Sequence, residues 1–495
     1  MKQQTAAIGY LPDEKPDWWK LLLYALQQVV VMFPATVTVA LITGFQVSVT
    51  IFASGLATLC FILITGRKIP LYYGSSFAYL SAILALMSSE AMVEAIPALA
   101  NWGSVGVLPV EAIPYAQLGI IMSGFVSIGA GLLVRYAGPH AVEKILPATI
   151  SGSVAMIIGL TLVGNAMGDA FPAAQNAVTK VWEINGFAGN ANWAWVVALV
   201  TLLSTILFSR YLKGFASQLP LLLGALCGCA TAALIRLFGG EGFSLFRAVD
   251  SSTIQSLWSS SGNIFSIPRF TTIFEIKDWG LAWSGVLGVM IIAIATIPES
   301  TAHIYQLDIY VNDLAKKKGK ESYPLSSKLD RNLIGDGLCD MVSGFIGGPA
   351  GTNYGENISA MAITKVFSIP VLLASSVIAM VIACFTPLIQ VIYAIPQPVI
   401  GGLEIYLFGA IAAQGIAILI DKKADMFSAK NIAVIATVMT VGIGGQYKFG
   451  GIIPFFGINL PCIAGAAVFG ILLNLVLSIG DKKKGQPAKA EGAQE

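Results

Sequence analysis

Runs of about twenty apolar residues recur along this chain, and no other feature limits its folding so severely. Residues 18–40, 46–65, 115–136, 143–163, 194–211, 216–237, 280–306, 331–347, 370–391, 397–420, 430–445 and 459–479 are long runs, and 74–88 and 357–368 are shorter ones. About 20 residues of helix cross the hydrocarbon of a bilayer. Only 11% of the 495 residues are charged, against roughly 25% in soluble domains. The expected fold is an all-α polytopic membrane protein of about fourteen segments. The polar stretches before Trp18 and after Asp481 are too short for a soluble domain. Residues 1–17 are polar and contain Pro12 and Pro16, which argues against a cleavable signal peptide. Pro34 is expected to interrupt the first span. The six cysteines all fall inside apolar runs and read as small buried side chains.

Alternate loops carry the positive charge: Arg67 and Lys68, Arg135 and Lys144, Arg210 and Lys213, then Lys316, Lys317, Lys318 and Lys320, Lys365, Lys422 with Lys423, and the Lys482–Lys484 run. Residues 89–114 hold no Lys or Arg. This asymmetry predicts both termini on the cytoplasmic side and an even number of spans.

The two halves echo each other. Leu219-Pro220 with Gly224-Ala225 returns as Leu460-Pro461 with Gly465-Ala466. Pro147 with Gly152 returns as Pro396 with Gly401, and Phe33-Pro34-Ala35-Thr36 resembles Ile297-Pro298-Glu299-Ser300. Gly74-Ser75-Ser76 stands where Tyr354-Gly355-Glu356 stands in the second half. Seven spans per repeat make the repeats inverted, with residues 1–240 as the first, 241–278 as a loop, 279–480 as the second and 481–495 as a polar tail. In such folds the short, Gly/Pro-broken segments mark a midplane site. Here they are 74–88 and 352–368. Extended backbone at that depth must be paired or line a cavity, so the two segments are expected to pair as short strands, each opening a half-helix whose first amides face the cavity.

Charges inside such runs are costly and usually functional. Glu356 opens the second half-helix. Glu299 and His303 lie one helical turn apart, on one face. The other histidine, His140, sits in a loop. Asp336 and Asp340 read as structural, Asp336 because Arg331 is close in sequence. Glu404, beside Gly401 and Gly402, reads as a polar contact between helices. A flat ring such as uracil suits paired carboxylates and free amides: its N–H groups donate to carboxylates and its carbonyls accept from amides. Phe77, Tyr354 and Phe408 offer stacking faces. An inorganic anion would call for arginine or a bare helix N-terminus, and the broken segments contain no arginine. One carboxylate of the pair is expected to hold a coupling proton. No His/Cys/Asp cluster has ligand spacing for an intramembrane enzyme.

The string Glu356-Asn357-Ile358-Ser359-Ala360-Met361-Ala362-Ile363-Thr364-Lys365 resembles the signature of the nucleobase–ascorbate (nucleobase:cation symporter-2) transporters. That pattern is Gln, Glu or Pro, then Asn-x-Gly, four variable residues, Thr, and Arg, Lys or Gly. Lys68-Ile69-Pro70 with Gly74–Ala78, and Glu299 four before His303, are similar to the uracil-permease-like bacterial members. Two departures are Ser359, where the pattern has Gly, and Phe408, where Tyr is expected. The resemblance implies fourteen spans in two inverted repeats. A core domain (spans 1–4 and 8–11) would move against a gate domain (spans 5–7 and 12–14) that also forms a homodimer. It implies that Glu299 and Glu356 bind the base, that His303 supports Glu299 or acts through water, and that the amides of Phe77 and Gly355 reach the carbonyls. Ala35, Tyr354 and Phe408 would line the pocket. It further implies a bacterial inner membrane location, a proton as the coupling ion and no cofactor. No nucleic-acid partner is expected. The leading expectation is uracil:proton symport by elevator-like alternating access. Transport of xanthine, urate or another pyrimidine, and an anion carrier or channel of the same fold, are the alternatives.

Overall fold

In a computed structural model the protein is described over residues 9–479, apart from 103–105, 140–143, 177–179, 185–189, 241–242, 248–257, 259–263 and 457. The tail 481–495, His140 and much of the loop 241–278 therefore lie outside the described residues. The helices are α1 (Trp18–Thr43), α2 (Val47–Ile64), α3 (Leu80–Met87), α4 (Ile113–Ala137), α5 (Ala148–Thr161), α6 (Val163–Ala170), α7 (Asn190–Tyr211) and α8 (Pro220–Gly239). The second half has α9 (Trp279–Met290), α10 (Ala293–Lys317), α11 (Leu329–Phe345), α12 (Gly355–Thr364), α13 (Ile369–Ala383), α14 (Thr386–Tyr393), α15 (Gln397–Asp421), α16 (Ala429–Phe449) and α17 (Cys462–Ser478). Among the described residues nine helical spans are long and apolar enough to cross a membrane, with three shorter apolar helices. Adding α11 and the half-helix α12 gives the fourteen segments expected.

The boundaries needed correction where prolines and short breaks were weighed by hydropathy alone. Pro34 does not interrupt α1, and Pro298 lies inside the continuous α10. In a bundle, neighbouring groups satisfy the backbone a proline frees. The run 280–306 is two helices broken at Ile291-Ile292, the second extending to Lys317, and 370–391 breaks before α14. The loop 89–113 holds a short helix, Glu90–Ala95.

Packing repeats itself between the halves. Helix α4 lies along α11 as α2 lies along α13, which are the same pair of positions exchanged between repeats. In the same way α1 packs on α13 as the α9 span packs on α4, and α7 on α15 as α16 on α5. Small residues set the closest crossings. A methyl on Gly124 or on Gly337 would collide with the carbonyl of the other, and Gly152 and Gly415 meet alike. With no hydrophobic drive between helices in lipid, such contact distance is what holds them together.

The expected strand pair is present. Strand β1 (Tyr73–Ser75) runs antiparallel to β2 (Gly351–Asn353), with Gly74 opposite Thr352. The flanking amides of Ser76 and Tyr354 donate to the Ala350 and Tyr72 carbonyls at 2.9 Å. At the face where α1 begins, residues 9–14 form a strap. The Tyr10 amide donates to the Lys365 carbonyl and the Phe367 amide to the Tyr10 carbonyl, both at 2.8 Å, and Leu11 is fully buried. Glu14 accepts from Lys318 at 2.5 Å and Lys320 at 2.9 Å.

Candidate substrate-binding site

The site is built on backbone that helices cannot satisfy. Side chains from α2 and α11 complete it. Ser54 and Thr58 donate to the Tyr73 carbonyl at 2.8 and 3.0 Å, and the Tyr73 amide donates back to Thr58. Asp340 accepts from the Tyr73 hydroxyl at 2.5 Å and from the Gly351 amide at 2.8 Å. Tyr354, the last extended residue before α12, donates to the Ser75 carbonyl at 3.0 Å and meets the Thr36 hydroxyl of α1. Each strand then turns directly into a helical segment, at Phe77 and at Gly355. First-turn amides have no intrahelical acceptor, so both segments present free donors and a positive dipole end.

A cavity of about 290 Å³ lies at this junction. Six of the eight residues singled out from the sequence line it: Phe77, Glu299, His303, Tyr354, Gly355 and Glu356. Glu299 and Glu356 both face it as half-buried acids. His303 is buried, and no hydrogen bond joins it to Glu299. Its Nδ1 has no partner, and its Nε2 would lie 2.9 Å from a methyl group on Gly355. Glycine at 355 is what lets the imidazole reach the start of α12.

Ala35 and Phe408 are placed differently from the expectation. Both are buried behind the cavity wall, at 1% and 0% exposure, rather than on it. The Phe408 backbone is pressed against Gly159 of α5, and Leu407 takes the wall position. The wall facing the acids is completed by Ser151, Leu407 and Gln414, none of which stands out in the sequence. Among the described residues no lysine or arginine lines the cavity.

Behind Glu299 lies a buried polar network that the sequence reading missed. Asn353 donates to Ser300 at 3.0 Å and to Asn332 and Asp336 at 3.2 Å. The Ser300 hydroxyl also donates to Asp336, and Asn332 donates to Ser300 at 2.7 Å. Asp336 is thus a support of the site, not a partner of Arg331. On the other side, Asn357 donates to the Gln28 carbonyl and side chain at 2.9 and 2.8 Å, fastening α12 to α1. Sequence signals for this network were weak: Ser300 follows Glu299 directly, and Asp336 and Asp340 sit one turn apart.

Fourteen membrane segments in two inverted repeats, with acids converging where the two broken segments cross, are the frame of a membrane transport protein. The permease family, through its Xan_ur_permease model, matches residues 19–451, and the chain belongs to that family. It is a transporter, not an enzyme. It is 32% identical to the uracil permease of Bacillus caldolyticus over 97% of this chain and 95% of that one. The putative pyrimidine permease RutG of Escherichia coli (strain K12) is 30% identical over 97% and 94%. Among solved structures, SLC26A9 aligns with a TM-score of 0.58 at 12% identity, over 92% of this chain and 65% of that one. The transmembrane domain of the cyanobacterial bicarbonate transporter BicA aligns at 0.54 and 14%, over 93% and 97%. At that identity the likeness is one of fold alone.

Proposed function

We propose that this protein imports uracil, or a closely related nucleobase, together with a proton across a bacterial cell membrane. The observation that carries this reading is the convergence of Glu299 and Glu356 on one cavity with the free amides at Phe77 and Gly355 and no cation in the wall. Carboxylates accept from the ring N–H groups, and amides donate to the ring carbonyls. Tyr354 and Phe77 bound the ring plane. Two acids this close do not both stay ionised without a proton or a donor between them, so one grips the base while the other carries the coupling proton. An anion carrier of the same fold could use the same two helix N-termini, but two acids beside them would repel its substrate.

Alternating access follows from the division of helices. The core is spans 1–4 and 8–11, which hold the strands and half-helices. The gate is spans 5–7 and 12–14, which supply Ser151, Leu407 and Gln414 and mediate a homodimer. Both termini are cytoplasmic. The cavity lining reaches Ser151 at the start of α5 and Ile418 near the end of α15, which with cytoplasmic termini supports an inward-facing reading. Glu299→Ala and Glu356→Ala are each expected to abolish labelled uracil uptake in proteoliposomes while inserting normally. Parental uptake by Glu356→Ala would remove the site assignment, and full competition by xanthine would move the substrate to the purines.

A further inference from the structure

A second group of buried ionisable side chains lies away from the cavity, at the opposite face, where α15 begins. Glu404 is fully buried, and neither of its carboxyl oxygens has a hydrogen-bond partner. The group it faces is another acid, Asp169, at the end of α6. Asp169 accepts from Gln397 Nε2 at 2.6 Å. Gly401 brings the two acids together: any side chain there would collide with the backbone of Asp169 and Ala170. Glu404 follows three residues later, on the same face of α15. Arg247, from the segment between the repeats, is the positive charge nearby, without an ion pair to either acid among the described residues. Its guanidinium packs 2.8 Å from where a side chain on Gly106 would begin. The Tyr393 phenol faces Arg247 and accepts the Val47 amide at 2.9 Å. Among the described residues, Asp169 and Arg247 are the charged groups around Glu404, and Tyr393 stands beyond Arg247.

Charge counting decides the state of this group. Two carboxylates and one guanidinium leave one uncompensated negative charge. The fully buried Glu404 is where that charge would be most costly, because it meets no donor at all. Adjacent acids relieve such a conflict by sharing a proton. We propose that Glu404 carries a resident proton and donates it in a hydrogen bond to Asp169. The one negative charge that remains is balanced by Arg247 nearby, so the group as a whole is neutral and the shared proton ties α6 to α15. This proton site is separate from Glu299 and Glu356 and holds its proton through the transport cycle. Its loss at alkaline pH leaves a bare buried carboxylate and loosens that tie.

The test uses thermal unfolding and infrared spectra of the purified full chain, without substrate. Glu404→Gln mimics the protonated acid. It is expected to melt like the parent at neutral pH, to lose the parent's fall in stability at alkaline pH, and to lose one protonated-carboxyl band at neutral pH. Arg247→Met uncovers the Asp169 charge and is expected to lower the folded-to-unfolded ratio by about tenfold or more. Adding Asp169→Asn to Arg247→Met is expected to restore most of that loss. The proposal is overturned if Glu404→Gln is as unstable as Arg247→Met, if its infrared band is unchanged, or if Asp169→Asn fails to offset Arg247→Met.

Discussion

Asn353 is the residue on which most of the site's hidden order depends. One side-chain amide holds Ser300, Asn332 and Asp336 at the point where α10, α11 and β2 meet. Removing one partner from a buried network exposes the others to an unmet bond, at about 1–3 kcal/mol each. Asn353→Ala is therefore expected to weaken substrate binding roughly tenfold, measured by calorimetry on purified protein, with Glu299 and Glu356 both intact. Glu299, His303 and Glu356 were legible in the sequence because charge within apolar runs is rare and rarely idle. Asn353, Asn332 and Ser300 were not, since uncharged polar residues are unremarkable in spans and their partners lie far away in sequence. Asp336 was read as structural, as it is, but for the wrong reason: Arg331 is near in sequence, while Asp336 bonds Ser300 and Asn353 inside the bundle. Phe408 shows the same limit from another side. In a helix buried on several faces, hydropathy does not tell wall from backing, and its neighbour Leu407 lines the cavity.

At the scale of elements, half-helix α12 is fastened at both ends. Asn357 ties its start to α1, and the strap 9–14 covers its end, where Lys365 adopts a left-handed conformation at φ 57°. Glu14 locks the strap. Burial pushes its carboxyl up, but hydrogen bonds from Lys318, the Leu11 amide and Lys320 outweigh it and hold it at about 2. A carboxyl lowered in the folded state contributes stability that is complete above its ordinary value of 4.5 and is lost as pH falls toward about 2. Hydrogen exchange of residues 9–14 is therefore expected to accelerate in the parent as pH drops through that window, after correction for intrinsic rates. In Glu14→Gln it is expected to be fast at neutral pH and to gain little on acidification. The paired strands were legible because glycine-broken segments at membrane depth have few other ways to satisfy their backbone. The strap was not. Its bonds are backbone to backbone, and Tyr10-Leu11-Pro12 carries no pattern that marks pairing.

For the molecule as a whole, the proposed cycle makes two predictions. On the face opposite the cavity mouth, Ser81 of α3 and Asn165 of α6 line a pocket of about 150 Å³ between α3 and α6. If α3 moves against α6 during transport, joining Ser81→Cys to Asn165→Cys with a short reducible crosslinker stops uptake, and reductant restores it. Unaltered uptake in the crosslinked protein would refute that motion. An inward proton gradient is expected to drive uracil accumulation and a protonophore to collapse it. A proton falling through 100 mV supplies about 2.3 kcal/mol, enough for roughly 50-fold accumulation. The repeat was legible as a whole because each half spends its prolines and glycines at matching places. The helix break at Ile291 escaped hydropathy because it lies in unbroken apolar sequence, whereas the one at Cys384 is marked by Thr386-Pro387, which opens the next helix.

The β1–β2 pair also governs how the chain is made. Tyr73 to Ser75 are synthesised more than 270 residues before their partners Gly351 to Asn353. Until then the first repeat sits in the bilayer with an unpaired strand, a state that membranes disfavour. The first half, released alone, is expected to be held by chaperones or degraded. It becomes stable only when the second half is present, whether on the same chain or supplied as a separate one.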